Sequence, residues 1–292
     1  MTRALLIVNP AAGGGTARAD VDAVLGELQP AFETIDLVET GLEHPTATDL
    51  GERAVREGYD AVLAAGGDGT VGSAARALVG TDVVLGVLPF GTYMNIARAI
   101  GIPRNDQHAA ARLIADGNVR AIDVGRVGDI YFFEAAGIGL DADAFTAGRA
   151  IQRGDHGFAM AALAAAFRRR GARVHIDVDG RLQTRRLLQA AVSNGPWYGW
   201  GFEVAPSASI DDGKLDLVVF GESKWRVLRE LIAAGVARDR PVRGRRSRGA
   251  RITMSSGHEV KVHADGIIVG TLPQTFSVAP KALKVYAPRK KR

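Results

Sequence analysis

Apolar and polar positions divide this chain into two regimes. As far as about residue 122, short apolar runs alternate with stretches whose apolar residues recur at three- and four-residue spacing. Leu5 to Val8 reads as a buried strand that ends in the Asn9-Pro10 turn. Thr16 to Leu28 carries Ala19, Val21, Val24, Leu25 and Leu28 at helical spacing, and Thr34 to Val38 alternates as a strand does. A helix is expected from Pro45, a residue suited to a first helical turn, to Gly58, a natural terminator. Asp60 to Ala65 and Val83 to Leu88 predict strands. A helix starting near Thr70 and reaching Leu78 follows the first, and one over Thr92 to Ile100 follows the second. Asn105 or Asp106 caps a further helix ending near Gly117. Such alternation implies a parallel sheet covered on both faces.

After residue 122 strand-like segments crowd together: Val124 to Val127, Tyr131 to Ala135, Val174 to Val178, Leu187 to Val192, Lys214 to Phe220, Arg251 to Met254, Val260 to His263 and Phe276 to Val278. Asp179-Gly180 is a hairpin turn signal. Two helical stretches interrupt them, Gly157 to Arg170 and Trp225 to Arg238. The fold class expected is therefore α/β plus β. Residues 1–122 form an α/β domain with a parallel sheet, and residues 123–292 a mainly antiparallel β-sandwich or barrel whose last residues return to the first domain. A ligand cleft between the two domains is the default expectation.

Composition narrows the classes. The 292 residues carry no cysteine, which removes disulfides, thiolate zinc sites and cysteine nucleophiles and suits a reducing cytosol. No run approaches the roughly 18 apolar residues of a spanning helix, so a soluble, cytoplasmic protein is expected. The net charge of +5 is unevenly placed: seven arginines and one acid, Asp239, lie between Arg238 and Arg251, and the chain ends Arg289-Lys290-Lys291-Arg292. Runs of this kind read as solvated loops or frayed ends, or as a surface for anionic lipid. No helix-turn-helix, zinc-finger or RNA-binding signature accompanies them, so no nucleic acid partner is expected. Nothing in the sequence sets the oligomeric state, and a homodimer is compatible with it.

The chemistry concentrates at two glycine-rich loops that follow strands. Ala64-Ala65-Gly66-Gly67-Asp68-Gly69-Thr70-Val71-Gly72 joins a strand to a helix. Its glycines permit positive φ and close backbone approach, and amides at the helix start can face an anion. It is neither a Walker A loop nor Gly-x-Gly-x-x-Gly. Asp68 would repel a phosphate, but it suits a metal or the proton of an attacking hydroxyl. Asn9-Pro10-Ala11-Ala12-Gly13-Gly14-Gly15 follows the first strand, at the carboxyl edge where ligands bind in parallel sheets. The stretch Leu88-Pro89-Phe90-Gly91-Thr92-Tyr93-Met94-Asn95 reaches the same edge, with Thr92 a hydroxyl donor or a helix cap.

These pieces, with Ala136-Gly137-Ile138-Gly139-Leu140-Asp141-Ala142, Ala205-Pro206-Ser207-Ala208, Asp211-Asp212-Gly213-Lys214-Leu215-Asp216 and Asp265-Gly266, resemble the diacylglycerol kinase catalytic-domain family in order and spacing over nearly the whole chain. The resemblance implies a phosphotransferase with an alcohol group as acceptor, an ATP- and magnesium-dependent lipid kinase. The substrate it implies is diacylglycerol or a related lipid, and the basic runs suit peripheral binding at an anionic membrane surface. It implies that Asn9, Gly13, Thr40, Gly66, Gly67, Asp68, Gly69, Thr70, Gly72 and Thr92 line the nucleotide site. It also implies that Asp212 and the carbonyls of Ser209 and Lys214 hold Mg2+, a site that in this family can be structural. Asp211-Asp212-Gly213 read by itself is equally a hairpin turn.

Two departures stand out. Where bacterial members carry Asp-Gly-Glu, with the Glu assigned as proton acceptor, this chain has Asp265-Gly266-Ile267, which leaves Asp68 or Asp265 as catalytic candidates. Glu134 stands where many members have Asn. Ile267 also supports a nucleotide- or lipid-binding protein without turnover. An NAD kinase shares the Gly-Gly-Asp-Gly loop but pairs it with Asn-Glu, and the counterpart here, Met94-Asn95-Ile96, has no Glu. On the lipid side, the apolar stretch Gly157 to Phe167 followed by Arg168, Arg169 and Arg170 suits a membrane interface or a buried helix. Trp197-Tyr198-Gly199-Trp200 suits an acyl cleft or ordinary core. His263 reads as strand packing.

Overall fold

A computed structural model describes residues 2–41, 45–139, 171–221, 223 and 243–289. The two long helical stretches expected around 157–170 and 225–238, Asp141 and the last three basic residues lie outside the described residues. By compactness the chain forms two units, one from its start to Val124 together with the segment from Pro280 onward, the other from Gly125 to Ala279.

In the first unit β1 (Arg3–Val8), β2 (Thr34–Glu39), β3 (Ala61–Gly66) and β4 (Val84–Pro89) pair in the order β2-β1-β3-β4, all parallel. The end of β18 (Gln274–Tyr286) adds a further parallel partner, with Val285 opposite Leu85. β3 reads AVLAAG and is buried at every position, as a parallel strand covered on both faces must be. Helices α1 (Ala17–Leu28), α2 (Ala47–Arg56), α3 (Asp68–Leu78), α4 (Asn95–Ile100) and α5 (Gln107–Ala115) supply that cover, α1 packing with α5 and α2 with α3. α1 buries Ala17, Val21, Val24 and Leu28, so the inward stripe starts at Ala17 and leaves Ala19 exposed. β1 feeds β2 on one side while β3 lies on its other side. The strand order therefore reverses between β1 and β3, the place in such a sheet where ligands are held at the carboxyl ends of the strands.

Three boundaries differ from the sequence expectation. Pro45 precedes α2, which is capped by Thr46. The Thr46 hydroxyl accepts from the Asp49 amide at 3.2 Å and the Asp49 carboxylate accepts from the Thr46 amide at 2.9 Å. α3 begins at Asp68, two residues early, and α4 begins only at Asn95, so Thr92 is not its cap. Asp106 caps α5, accepting from the Ala109 amide at 2.8 Å.

The second unit is a sandwich. β7 (Ala135–Gly139), β10 (Gln189–Ser193), β13 (Leu215–Phe220), β14 (Arg245–Gly249), β16 (Lys261–Ala264) and β17 (Ile267–Thr271) form an antiparallel sheet ordered β14-β13-β10-β7-β16-β17. The other layer pairs β8 (Ala172–Val178) with β9 (Arg181–Leu187), β15 (Arg251–Ser256) with β8, and the start of β18 with β15, all antiparallel. β5 (Val119–Val127) and β6 (Ile130–Phe132) make a hairpin at Gly125–Val127. Ile138, Val192, Leu217 and Val262 from the first layer meet Val174, Ile176, Ile252, Met254 and Phe276 from the second in one buried cluster. A pair of two-residue strands, β11 (Trp197–Tyr198) and β12 (Phe202–Glu203), stands apart. β9 and β14 were not expected as strands because arginine fills them. Both are edge strands, where charged side chains block further pairing. Part of the arginine run is thus sheet and not loop.

Candidate active site

The carboxyl edge of β1 and β3 gathers most of the residues expected there. The Asn9 amide donates to the Ala65 carbonyl at 2.9 Å, and the Asn9 side-chain amide donates to the Thr70 hydroxyl at 3.1 Å. The Gly13 amide donates to the Phe90 carbonyl at 2.9 Å, and the Phe90 amide donates to the Gly66 carbonyl at 3.1 Å. These bonds join the ends of β1, β3 and β4 into one edge. Thr40 belongs to it too: it is buried and its amide donates to the Val8 carbonyl at 2.8 Å. Thr92 lies exposed in the turn between β4 and α4. Gly72 points elsewhere, buried in the second turn of α3.

The glycines act by closeness more than by positive φ. Gly66, Gly67 and Gly69 all keep ordinary φ, against the expectation, and the left-handed conformations fall at Gly13, Gly14 and Gly15. A Cβ on Gly66 would lie 2.6 Å from Thr70 Cβ, and one on Gly91 would lie 2.7 Å from Gly67 Cα. Two backbones therefore cross where a single methyl group would part them. A Cβ on Gly69 would meet open space. The open face lies over the first turn of α3, where a helix start presents backbone amides and its positive dipole end.

Asp68 sits in that first turn, half-buried, and accepts at Oδ1 from the Ile96 amide at 3.0 Å. It thus holds the start of α4 beside its own helix. Met94, fully buried with φ of 47°, makes the turn into α4, and its sulfur faces the Gly91 amide at 3.1 Å. Sequence reasoning missed this support.

Asp265 behaves differently. With Gly266 it forms a two-residue turn, φ 43° and 76°, joining β16 to β17. Its carboxylate accepts from the amides of Phe133 at 2.9 Å, Glu134 at 3.0 Å and Ala135 at 3.3 Å, and its own amide donates to the Ala135 carbonyl. Asp179-Gly180 is built alike: φ 49° and 83°, a carboxylate accepting from Ala250 and Arg251, and an amide donating to the Arg251 carbonyl. Ile267 follows Asp265-Gly266 with 46% of its surface exposed. The Glu134 side chain accepts from the Gly199 amide at 3.1 Å and so ties the end of β6 to the β11–β12 loop. In that loop Trp200 is half exposed and packs edge-on against Phe202. Tyr198 is buried, its hydroxyl 3.0 Å from Nε2 of the equally buried His263.

Asp212, Ser209 and Lys214, expected around magnesium, lie in the turn before β13. Asp212 Oδ1 accepts from the Lys214 amide at 3.0 Å, and the Ser209 hydroxyl donates to Asp211 at 2.8 Å. Asp212 Oδ2 is paired with the Arg248 guanidinium, whose Nε donates to Asp216 Oδ2 at 3.0 Å. Asp216 is buried and also accepts from the Ser207 hydroxyl at 3.2 Å. Burial pushes its carboxyl above the ordinary range, with Arg248 and Ser207 pulling the other way. Burial would lower the Arg248 guanidinium, but the two carboxylates outweigh it and hold it raised. Both Asp212 oxygens are thus engaged by the chain itself, one by the Lys214 amide and one by the Arg248 cation. Among the described residues no three acidic or histidine side chains converge as a metal cluster.

The comparisons with known proteins agree with this layout. Residues 3–127 match the diacylglycerol kinase catalytic domain, and residues 135–287 match the YegS C-terminal NAD kinase beta sandwich-like domain. The chain belongs to the diacylglycerol kinase catalytic-domain family. A diacylglycerol kinase of Mycobacterium tuberculosis (strain ATCC 25618 / H37Rv) is 32% identical over 299 residues, covering 97% of this chain and 94% of that one. One of Bacillus subtilis (strain 168) is 31% identical over 307 residues, covering 100% and 98%. The crystal structure of a diacylglycerol kinase from Bacillus anthracis str. Sterne superposes with a TM-score of 0.78 at 24% identity, covering 98% and 97%, which speaks for the fold. No helix among the described residues is long and apolar enough to cross a membrane.

Proposed function

We propose that this protein transfers the γ-phosphoryl group of ATP to a hydroxyl of diacylglycerol or a related lipid, at the carboxyl edge of β1, β3 and β4. The observation that carries the reading is the open first turn of α3, where helix amides and Asp68 flank the space over Gly69. Glycine amides and the helix end receive the phosphates, while Asn9 and Thr70 fix the edge. The acceptor oxygen attacks the γ-phosphorus, the bond from that phosphorus to the β–γ bridging oxygen breaks, and ADP leaves. Asp68 takes the hydroxyl proton. Its carboxylate is also a hard oxygen ligand that fits Mg2+ arriving with ATP, and such an ion spreads charge from the phosphate oxygens. Asp265 positions the strands around it, through the same amide clamp that Asp179 makes. The lipid is met at an anionic membrane surface from the cytoplasmic side, which the basic excess of the chain supports.

The test is to incubate the full chain with labelled ATP and Mg2+, offering a total lipid extract in one arm and NAD in the other, with products read by mass spectrometry. Label in a phosphorylated glycerolipid is expected. Label in NAD alone, or in neither, overturns the reading.

A further inference from the structure

We propose that Arg248 is the built-in cation of the corner between β13 and β14, and that this corner takes no divalent ion. Asp216 lies opposite Arg248 in the β13–β14 register, so both side chains project to one face of the sheet. Asp216 is 1% exposed, and a lone carboxylate so buried is strongly unfavourable. Asp212, four residues earlier and 29% exposed, brings a second negative charge to the same place. Two carboxylates at one corner call for a positive charge of more than one contact. A hard divalent ion supplies it through oxygen ligands, and a guanidinium supplies it through a planar fork of N–H donors. Here the fork is in place: Nε on Asp216 and Nη2 on Asp212. The remaining oxygens are taken as well, Asp216 Oδ1 by the Ser207 hydroxyl and Asp212 Oδ1 by the Lys214 amide. A divalent ion could enter only by expelling the arginine, and Arg248 and the ion would then repel each other. The arginine is held by its strand, so it carries no cost of capture from solution. The corner's charge is therefore met by the chain itself, and the magnesium this chain uses is that which travels with its nucleotide.

The experiment reads stability, with no ATP or lipid present, so its outcome is separate from that of the kinase reading. Thermal unfolding of the full chain is followed in a chelator and in excess Mg2+, for the wild type and for Arg248→Met. The wild type is expected to melt at the same temperature in both. Arg248→Met is expected to melt about 5 °C lower in chelator and to recover at least half of that loss with Mg2+, as the two carboxylates left without their arginine acquire an ion. A wild-type midpoint that falls in chelator, or an Arg248→Met protein that gains no more from Mg2+ than the wild type, overturns the proposal. Should Arg248→Met fail to fold, calorimetric titration of nucleotide-free wild type with Mg2+ decides. Absence of binding supports the closed corner, and one-site binding that Asp212→Asn abolishes refutes it.

Discussion

At residues 66–70 a buried strand runs straight into a helix, and the aspartate between them commits one oxygen to the amide that starts a neighbouring helix. At residues 264–267 two strands meet in a tight turn, and the aspartate there gathers three main-chain amides from another strand connection. Both are Asp-Gly dipeptides, the first in the opening turn of a helix and the second in a hairpin turn. What separates them is the backbone around the carboxylate. A helix start leaves amides pointing outward, so a ligand can complete the site. A hairpin beside a strand end spends its carboxylate on the chain itself, and what remains holds shape. Asp179 repeats the second arrangement on the other sheet, far from any candidate chemistry in sequence, which identifies that arrangement as a structural device.

The contrast yields graded predictions. Outside Asp68 itself, Gly91→Ala should have the largest effect on turnover. Its Cβ would lie 2.7 Å from Gly67 Cα, the crossing must open, and displacement of the loop by about an ångström should cost roughly 100-fold in kcat/KM while the thermal midpoint changes little. Asp265→Ala should act on stability, lowering it by about 3 kcal/mol in urea unfolding, since three amides lose their acceptor. Asp179→Ala, with two amides released, should cost about 2 kcal/mol in the same measurement. If Asp265→Ala instead folds with wild-type stability and loses only turnover, the division between the two turns fails. Smallest of all should be Ile267→Glu. A carboxylate placed at that exposed site should alter the rate by no more than about twofold, because proton removal already has its group. A large gain in rate would move the proton acceptor to the second turn.

Much of the first unit was legible in the sequence because β1, β3 and β4 are buried on both faces and its helices are amphipathic, so period alone separates them. Boundaries slipped where side chains other than the obvious punctuation set the cap. Thr46 and Asp49 close α2 together, so Pro45 merely precedes it. Met94 turns the chain into α4 by adopting a left-handed conformation that composition does not announce. In the second unit the arginine-rich strands β9 and β14 were invisible, since edge strands carry charge and lose the alternation that marks a half-buried strand. The residues of the glycine loop were legible as a site, but their partners were not. The Asp68 bond to Ile96 and the Asp216 pairing with Arg248 join positions 28 and 32 residues apart, and only the packing of α3 with α4 and the β13–β14 register bring them together.

The central claim is that Asp68 works on the reacting groups while the other Asp-Gly carboxylates hold the fold. It is tested most directly by Asp68→Asn, measured for ATP binding, thermal midpoint and lipid phosphorylation in one preparation. The predicted result is ATP binding within about threefold of wild type, a midpoint lowered by a few degrees for the weakened hold on α4, and phosphorylation reduced at least about 100-fold. Full phosphorylation by the folded Asp68→Asn protein would contradict the account.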